Sequence, residues 1–286
     1  MSPYSEILFP VDFSERCLAA APFVLSMARR WNASVTLLHV LHPVPAAYGA
    51  IEVMSPQTID MENLSAEAQG KLREFAQEQL PKCNVSCKVM VGDAGKAIVE
   101  YSQTRYTGVI ALPTHGYGPF KRLLLGSVTA RVLDEATVPV WTTAHAPDPE
   151  HRAHPQPRHI LCAIDLKGES RHVVDAATAL AHDAGAKLEI LHVAPEGEIS
   201  AEERQSRLGH IVAEAAGNAS VLVTTQTSPT MMTEDASVAG VVRETARLHR
   251  SDLIVIGRDR SHFAPGGIGS DTYKIIREAP CPVLSV

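Results

Sequence analysis

Short, unbroken apolar runs alternate along the whole chain with longer stretches in which apolar and polar residues recur at helical spacing. In the first half the apolar runs predict strands at 6–11, 34–41, 85–91, 107–112 and 138–143, with helices between them at about 14–31, 62–80, 94–105 and 127–136. In the second half they predict strands near 159–164, 187–193, 219–226, 252–257 and 282–286. The helices fall near 169–184, 200–216, 236–249 and 270–278. The strands are rich in Val, Ile and Leu and do not alternate with polar residues. That is the pattern of parallel strands buried on both faces. Strict strand–helix alternation predicts right-handed crossovers and a doubly wound α/β sheet.

The pattern occurs twice. EILFPVD at 6–12 returns as HILCAID at 159–165, and VTLLHV at 35–40 returns as LEILHV at 188–193, both at an offset of 153. TGVIAL at 107–112 corresponds to SDLIVI at 251–256, offset 144, and GSVTARVLDEATVPV at 126–140 to GSDTYKIIREAPCPV at 269–283, offset 143. Order is kept while the offset shrinks, so the second copy lacks residues mainly between its second and fourth strands. Two five-stranded parallel-sheet domains are expected, at 1–147 and 156–286. The segment 145–159, with four prolines and four histidines, reads as an extended linker. AYGAIEVMSPQTIDMEN at 47–63 has no counterpart in the second half, and its apolar content suits a lid or a contact surface.

Composition adds exclusions. The chain has 286 residues, 45% hydrophobic and 20% charged, with a formal net charge of -6. This is a globular balance. The negative charge and the lack of any Lys or Arg run argue against a nucleic-acid partner. No window is apolar enough for a membrane helix, and no secretory leader is visible, so a cytoplasmic protein is expected. The five cysteines are scattered and odd in number, which fits a reducing compartment. Cys83 and Cys87 on an extended strand would stand roughly 13 Å apart, too far to share a metal or a disulfide. The linker histidines have irregular spacing and are read as solvated rather than as a metal site.

In an open parallel sheet, ligands bind beyond the carboxyl ends of the strands, where strand order reverses. Asp12 and Asp165 end the first strands there, and His39-Val40 and His192-Val193 end the second strands. The fourth strand of the first half leads into Pro113-Thr114-His115-Gly116, and Gly126-Ser127 then opens a helix. The N–H groups of a helix start attract phosphate, and glycine lets an anion approach the backbone. An ordinary loop with a serine cap is the alternative reading. No Gly-x4-Gly-Lys-Ser/Thr phosphate loop is present, and DFSERC after the first strand lacks the dinucleotide glycines.

FPVDFSE at 9–15, LLHV at 37–40 and THGYGPFKRLLLGSV at 114–128 resemble the universal stress proteins, in their tandem form. The resemblance covers nearly all of both halves. Nucleotide-binding members carry Gly, two residues, Gly, nine residues, then Gly and Ser or Thr. Gly116, Gly126 and Ser127 fit the last three fixed positions, and Pro113 stands at the first. The resemblance implies an adenine-nucleotide-hydrolase-like fold that binds ATP, accompanied by Mg²⁺. Asp12, with the backbone of Pro10 and Val11, would contact adenine or ribose, and Val40 would contact adenine. His115 and Gly116 would lie over the sugar and phosphates. Gly126, Ser127, Val128 and Thr129 would cradle the phosphates. The second half keeps Asp165, Val193, Gly257, Gly269 and Ser270, but Arg260 replaces the second glycine and the spacer is one residue short. Arg258 or Arg260 could meet a phosphate, or that half is a degenerate support.

The leading expectation is a stress-response regulator that binds ATP in its first half, with no catalytic residue assigned. A slow ATPase or phosphotransferase using the same pocket, and a nucleotide-free scaffold, are the alternatives. The last strands, VPVWTT at 138–143 and CPVLSV at 281–286, are expected to pair the two halves within one chain. A homodimer of the whole chain is left open.

Overall fold

The computed structural model describes residues 4–42, 61–114, 125–143, 155–166, 170–195, 200–215, 221–228, 237–258 and 271–286. The insert at 47–60, most of the linker, His115, Gly116, Arg260, Gly269 and Ser270 lie outside these residues.

The first half runs β1 (Glu6–Pro10), α1 (Glu15–Trp31), β2 (Ser34–Leu41), α2 (Met61–Gln79), β3 (Val85–Val91), α3 (Ala94–Thr104), β4 (Val109–Leu112), α4 (Ser127–Glu135) and β5 (Val140–Thr142). The second runs β6 (His159–Ile164), α5 (Ser170–Ala184), β7 (Lys187–Pro195), α6 (Ala201–Ala215), β8 (Val221–Ser228), α7 (Val238–Leu248), β9 (Leu253–Ile256), α8 (Asp271–Glu278) and β10 (Val283–Ser285). Every predicted element is present, with ends shifted by at most two residues. The terminal shifts reflect fraying and caps that periodicity does not mark.

All ten strands form one sheet in the order β3-β2-β1-β4-β5-β10-β9-β6-β7-β8. Each half is parallel throughout. Ile7 pairs with Val35 and Val109, and its counterpart Ile160 with Leu188 and Leu253. The seam is antiparallel: Val283 opposes Thr142, Leu284 opposes Trp141, and Ser285 opposes Val140. The expected pairing of the last strands is therefore realised, and it fuses two five-stranded sheets into one. Two side chains reinforce the seam, with Thr142 Oγ1 donating to Val283 O at 3.2 Å and Ser285 Oγ to Val140 O at 3.2 Å.

Successive strand residues point to opposite faces, and both faces are covered. Ile7, Phe9, Ile160 and Cys162 pack beneath α1, α2, α5 and α6. Leu8, Ile110, Leu161 and Ile254 pack beneath α3, α4, α7 and α8. Each core layer runs across both halves. Strands whose two faces are both buried can carry continuous Val/Ile/Leu runs, which is why the sequence showed no alternation. Strand order reverses between β1 and β4 in the first half and between β6 and β9 in the second. Those two crevices position the candidate sites.

Candidate functional site

The turn after β1 is held from several sides. Val11 N–H donates to Leu38 O at 2.9 Å, which ties the strand end to β2. His39 Nδ1 donates to Val11 O at 2.7 Å. Asp12 is half-buried, and its Oδ1 accepts the Ser14 N–H at 3.0 Å and the Cys17 thiol at 2.9 Å. Ser14 is the N-cap of α1. Asp12 thus braces a cap rather than acting as one. Phe13 takes a left-handed backbone (φ 60°), unusual for a large side chain and costly on its own. Its ring packs on His39, with centroids 4.8 Å apart, and edge-on against Phe75. Burial first, and then the charge of Asp12, pushes the Cys17 thiol up to about 12. It therefore stays protonated at neutral pH and donates.

The second half repeats this turn position by position at the offset of 153. His192 Nδ1 donates to Ile164 O at 2.9 Å. Leu166 has φ 60°. Ser170 Oγ donates to Asp165 Oδ1 at 3.0 Å, taking the place of Cys17. The role of Cys17 and Ser170 was missed in the sequence. The aligned offset was available, but a cysteine and a serine do not look alike until both are seen donating to the same aspartate.

On the other side of the first crevice, β4 leads to Pro113 and Thr114. Thr114 O accepts the Gly126 N–H at 3.0 Å, which closes the described ends of the loop on each other. Thr129 is buried, and its hydroxyl donates to Pro113 O at 3.0 Å. Gly126 is the N-cap of α4 and supplies no side-chain cap. By contrast α1, α3 and α7 are capped by Ser14, Asp93 and Ser237 side chains. The first-turn N–H groups of a helix have no intrahelical acceptor, so those of Ser127, Val128 and Thr129 face the glycine cap without a capping side chain. Ser127 is exposed and Val128 leans on the core. Val40, partly buried, lies at the end of β2 beside Met90 of β3. Asp12, Val40, Pro113 and the start of α4 therefore share one sheet edge around the β1–β4 reversal. Arg131, one turn into α4, is occupied by Asp93 at 2.8 Å and Glu135 at 3.1 Å.

The second crevice differs on this side. Gly257 follows β9, and a Cβ there would stand 3.1 Å from Val173 Cγ2. Thr272 Oγ1 reaches Gly257 O at 3.5 Å, a longer version of the Thr129–Pro113 bond. Val193 is buried. Arg258 corrects an expectation. Its guanidinium does not point toward a phosphate position but donates to Ala136 O at 3.0 Å and Val138 O at 2.7 Å, both in the first half. Backbone carbonyls at the end of a helix attract a buried cation, and sequence spacing within one repeat says nothing about a neighbour across the seam.

Residues 3–143 and 157–286 each match the sequence profile described as the Universal stress protein family. The chain belongs to the universal stress protein family. A universal stress protein of Mycolicibacterium smegmatis is 24% identical over 291 residues, spanning 98% of this chain and 96% of its own length. One from Methanocaldococcus jannaschii is 29% identical over 141 residues, covering 48% of this chain and 80% of the relative. The crystal structure of a universal stress protein from Archaeoglobus fulgidus superposes with a TM-score of 0.75 at 21% identity, covering 99% of this chain and 97% of that one. This last likeness concerns the fold, which is that of tandem universal stress protein domains.

Among the described residues no helix is long and apolar enough to cross a membrane, and no group of three or more His, Cys, Asp or Glu is placed to hold a metal ion. Cys83 and Cys87 are free and partly buried, in keeping with their reading as plain thiols.

Proposed function

We propose that this universal stress protein binds ATP in the first-half crevice and uses occupancy as a signal, not as a consumed substrate. One observation carries the reading: α4 opens on a glycine cap, without a side-chain acceptor, at the same sheet edge as Asp12. Helix N-termini of this kind suit phosphate oxygens. The resemblance of Gly116, Gly126 and Ser127 to the family's nucleotide pattern supports the same ligand, with adenine and ribose toward Pro10–Asp12 and Val40. The chain would hold Mg²⁺ mainly through the phosphates, since Mg²⁺ is commonly bound by substrate oxygens and only one or two carboxylates. Asp12 is the nearest candidate of that type by position. Its Oδ1 already accepts two donors, which suits orientation of a bound ligand better than proton abstraction.

A bound ligand stabilises the folded state by mass action, by roughly 2.7 kcal/mol at a hundred times its Kd. Occupancy could in that way set the order of the 113–126 connection and a partner surface on it. Equilibrium binding of labelled ATP to the full chain tests the reading. Binding by the wild type that is lost in Gly126→Val is expected, because a branched side chain at the cap would block close approach of an anion. No binding at millimolar ATP, or binding untouched by that substitution, removes it.

A further inference from the structure

Arg258 is 2% exposed and sits where the second half's own phosphate loop begins, right after Gly257. Its two donors end on Ala136 and Val138, and Ala136 is the C-cap of α4. A second contact crosses the same seam: Tyr273, on α8, donates its hydroxyl to Ala130 O at 2.9 Å in the middle of α4. The arrangement cannot be reciprocal. At the repeat offsets, Thr114 corresponds to Arg258 and Ala130 to Tyr273, so the first half has a short hydroxyl and a methyl where the second has a guanidinium and a phenol. The second half grips the first half's α4, and α4 lacks the equivalent side chains to grip back.

The chemistry of each contact is favourable. The last carbonyls of a helix carry partial negative charge, and a cation there is stabilised by the helix dipole. Hydrogen bonds from a charged guanidinium are about twice as strong as neutral ones. Burial, and then the charge of Asp134, pushes the Tyr273 hydroxyl up to about 12, so it remains a donor. Nine residues make α4 a short rod of roughly 13 Å. A rod that is fixed at its far end and at its middle presents its first-turn N–H groups at a fixed place.

We infer that Arg258, assisted by Tyr273, is a positioning residue for the phosphate side of the first-half site. The degenerate loop of the second half has become a support for the phosphate helix of its neighbour. This inference rests on the ATP reading above. It assigns the second half a role in affinity that needs no ligand of its own. Bound groups must be held to within about 0.5 Å for full effect, so a loosened α4 weakens contacts to phosphate while leaving adenine and ribose contacts at Asp12 and Val40 in place.

The test compares ATP with adenosine, which lacks the phosphates, on wild type, Arg258→Met, Arg258→Lys and Tyr273→Phe full-length chains. Arg258→Met is expected to weaken ATP by about tenfold and adenosine by less than about twofold, with Tyr273→Phe weakening ATP by about twofold to threefold. Arg258→Lys should recover part of the loss, since it restores the charge but not the fork. Should Arg258→Met fail to fold, amide exchange in Arg258→Lys and Tyr273→Phe takes over, with faster exchange at 127–130 than at α3 expected. Unchanged ATP affinity, a parallel loss of adenosine, or unchanged exchange along α4 overturns the inference. A wild type that binds no ATP removes the reading of the site itself. A wild type that binds while folded Arg258→Met binds equally well removes only the positioning role.

Discussion

The two crevices agree on one side and part on the other. After β1 and after β6 the chain makes the same turn: a histidine from the next strand tethers a carbonyl, a non-glycine residue takes the left-handed backbone, and an aspartate accepts a side-chain donor five residues on. After β4 the chain turns back on itself and leads to a glycine-capped helix, whereas after β9 it sends a buried arginine into the other half. The first turn is demanding in itself, because a strained φ persists only where several contacts enforce it. It therefore survives duplication as a unit. The second is a loose connection whose residues are free to serve a different neighbour. Duplication preserved the over-determined half of the site and released the other half for a new contact.

The opposite edge of the sheet gives the sharpest way to break this comparison. Thr36 in β2 donates to Glu6 at 3.0 Å and bonds Ser86 at 2.9 Å. The same two positions of the second half hold Glu189 and His159, so the carboxylate has moved from β1's counterpart to β2's. There Glu189 is fully buried, bonded to His249 at 2.7 Å with His159 at 3.5 Å. Removing one partner of a buried carboxylate leaves its charge poorly compensated. Urea denaturation should show a loss of about 2 kcal/mol for His249→Ala, against about 1 kcal/mol for Thr36→Val. Equal losses would mean that the buried carboxylate is held no harder than a neutral hydroxyl.

Smaller effects separate the two helix starts. Thr129→Val removes a buried 3.0 Å bond to Pro113 O and should cost about 1 kcal/mol in a melting experiment. Thr272→Val removes a 3.5 Å contact to Gly257 O and should cost less than about 0.5 kcal/mol. A reversed order would show that the second helix start is the better built of the two. The smallest effect is expected at Cys17→Ser, which copies the residue that the second half already uses. Its stability should stay within about 0.5 kcal/mol of wild type with ATP affinity retained, while Cys17→Ala takes the donor from Asp12 and costs about 1 kcal/mol. If serine proves as damaging as alanine, the thiol serves packing and not Asp12.

Strand and helix positions were legible because burial on two faces writes itself into local composition. The repeat offsets then aligned Asp12 with Asp165 and His39 with His192, so the adenine side of the site could be found without coordinates. Cys17 and Ser170 escaped because they share a role and not a residue type. Phe13 and Leu166 escaped because nothing in a large apolar side chain announces a left-handed backbone. Arg258 was noticed and given a ligand in its own half. Its carbonyl acceptors are more than a hundred residues away in sequence, and no local pattern connects them.

By itself, then, the sequence determined the two-copy α/β plan, the edge where chemistry can sit, and the aspartate, valine and glycine-serine positions along it. These follow from periodicity and from residues whose function is local: a helix start, a strand end, a turn. Tertiary structure decided how the copies meet, as one sheet joined through β5 and β10, and what the second copy's divergent loop is for. Such a decision depends on which groups are brought together across the seam, where a buried guanidinium must find acceptors and the carbonyls at the end of α4 are the ones within reach.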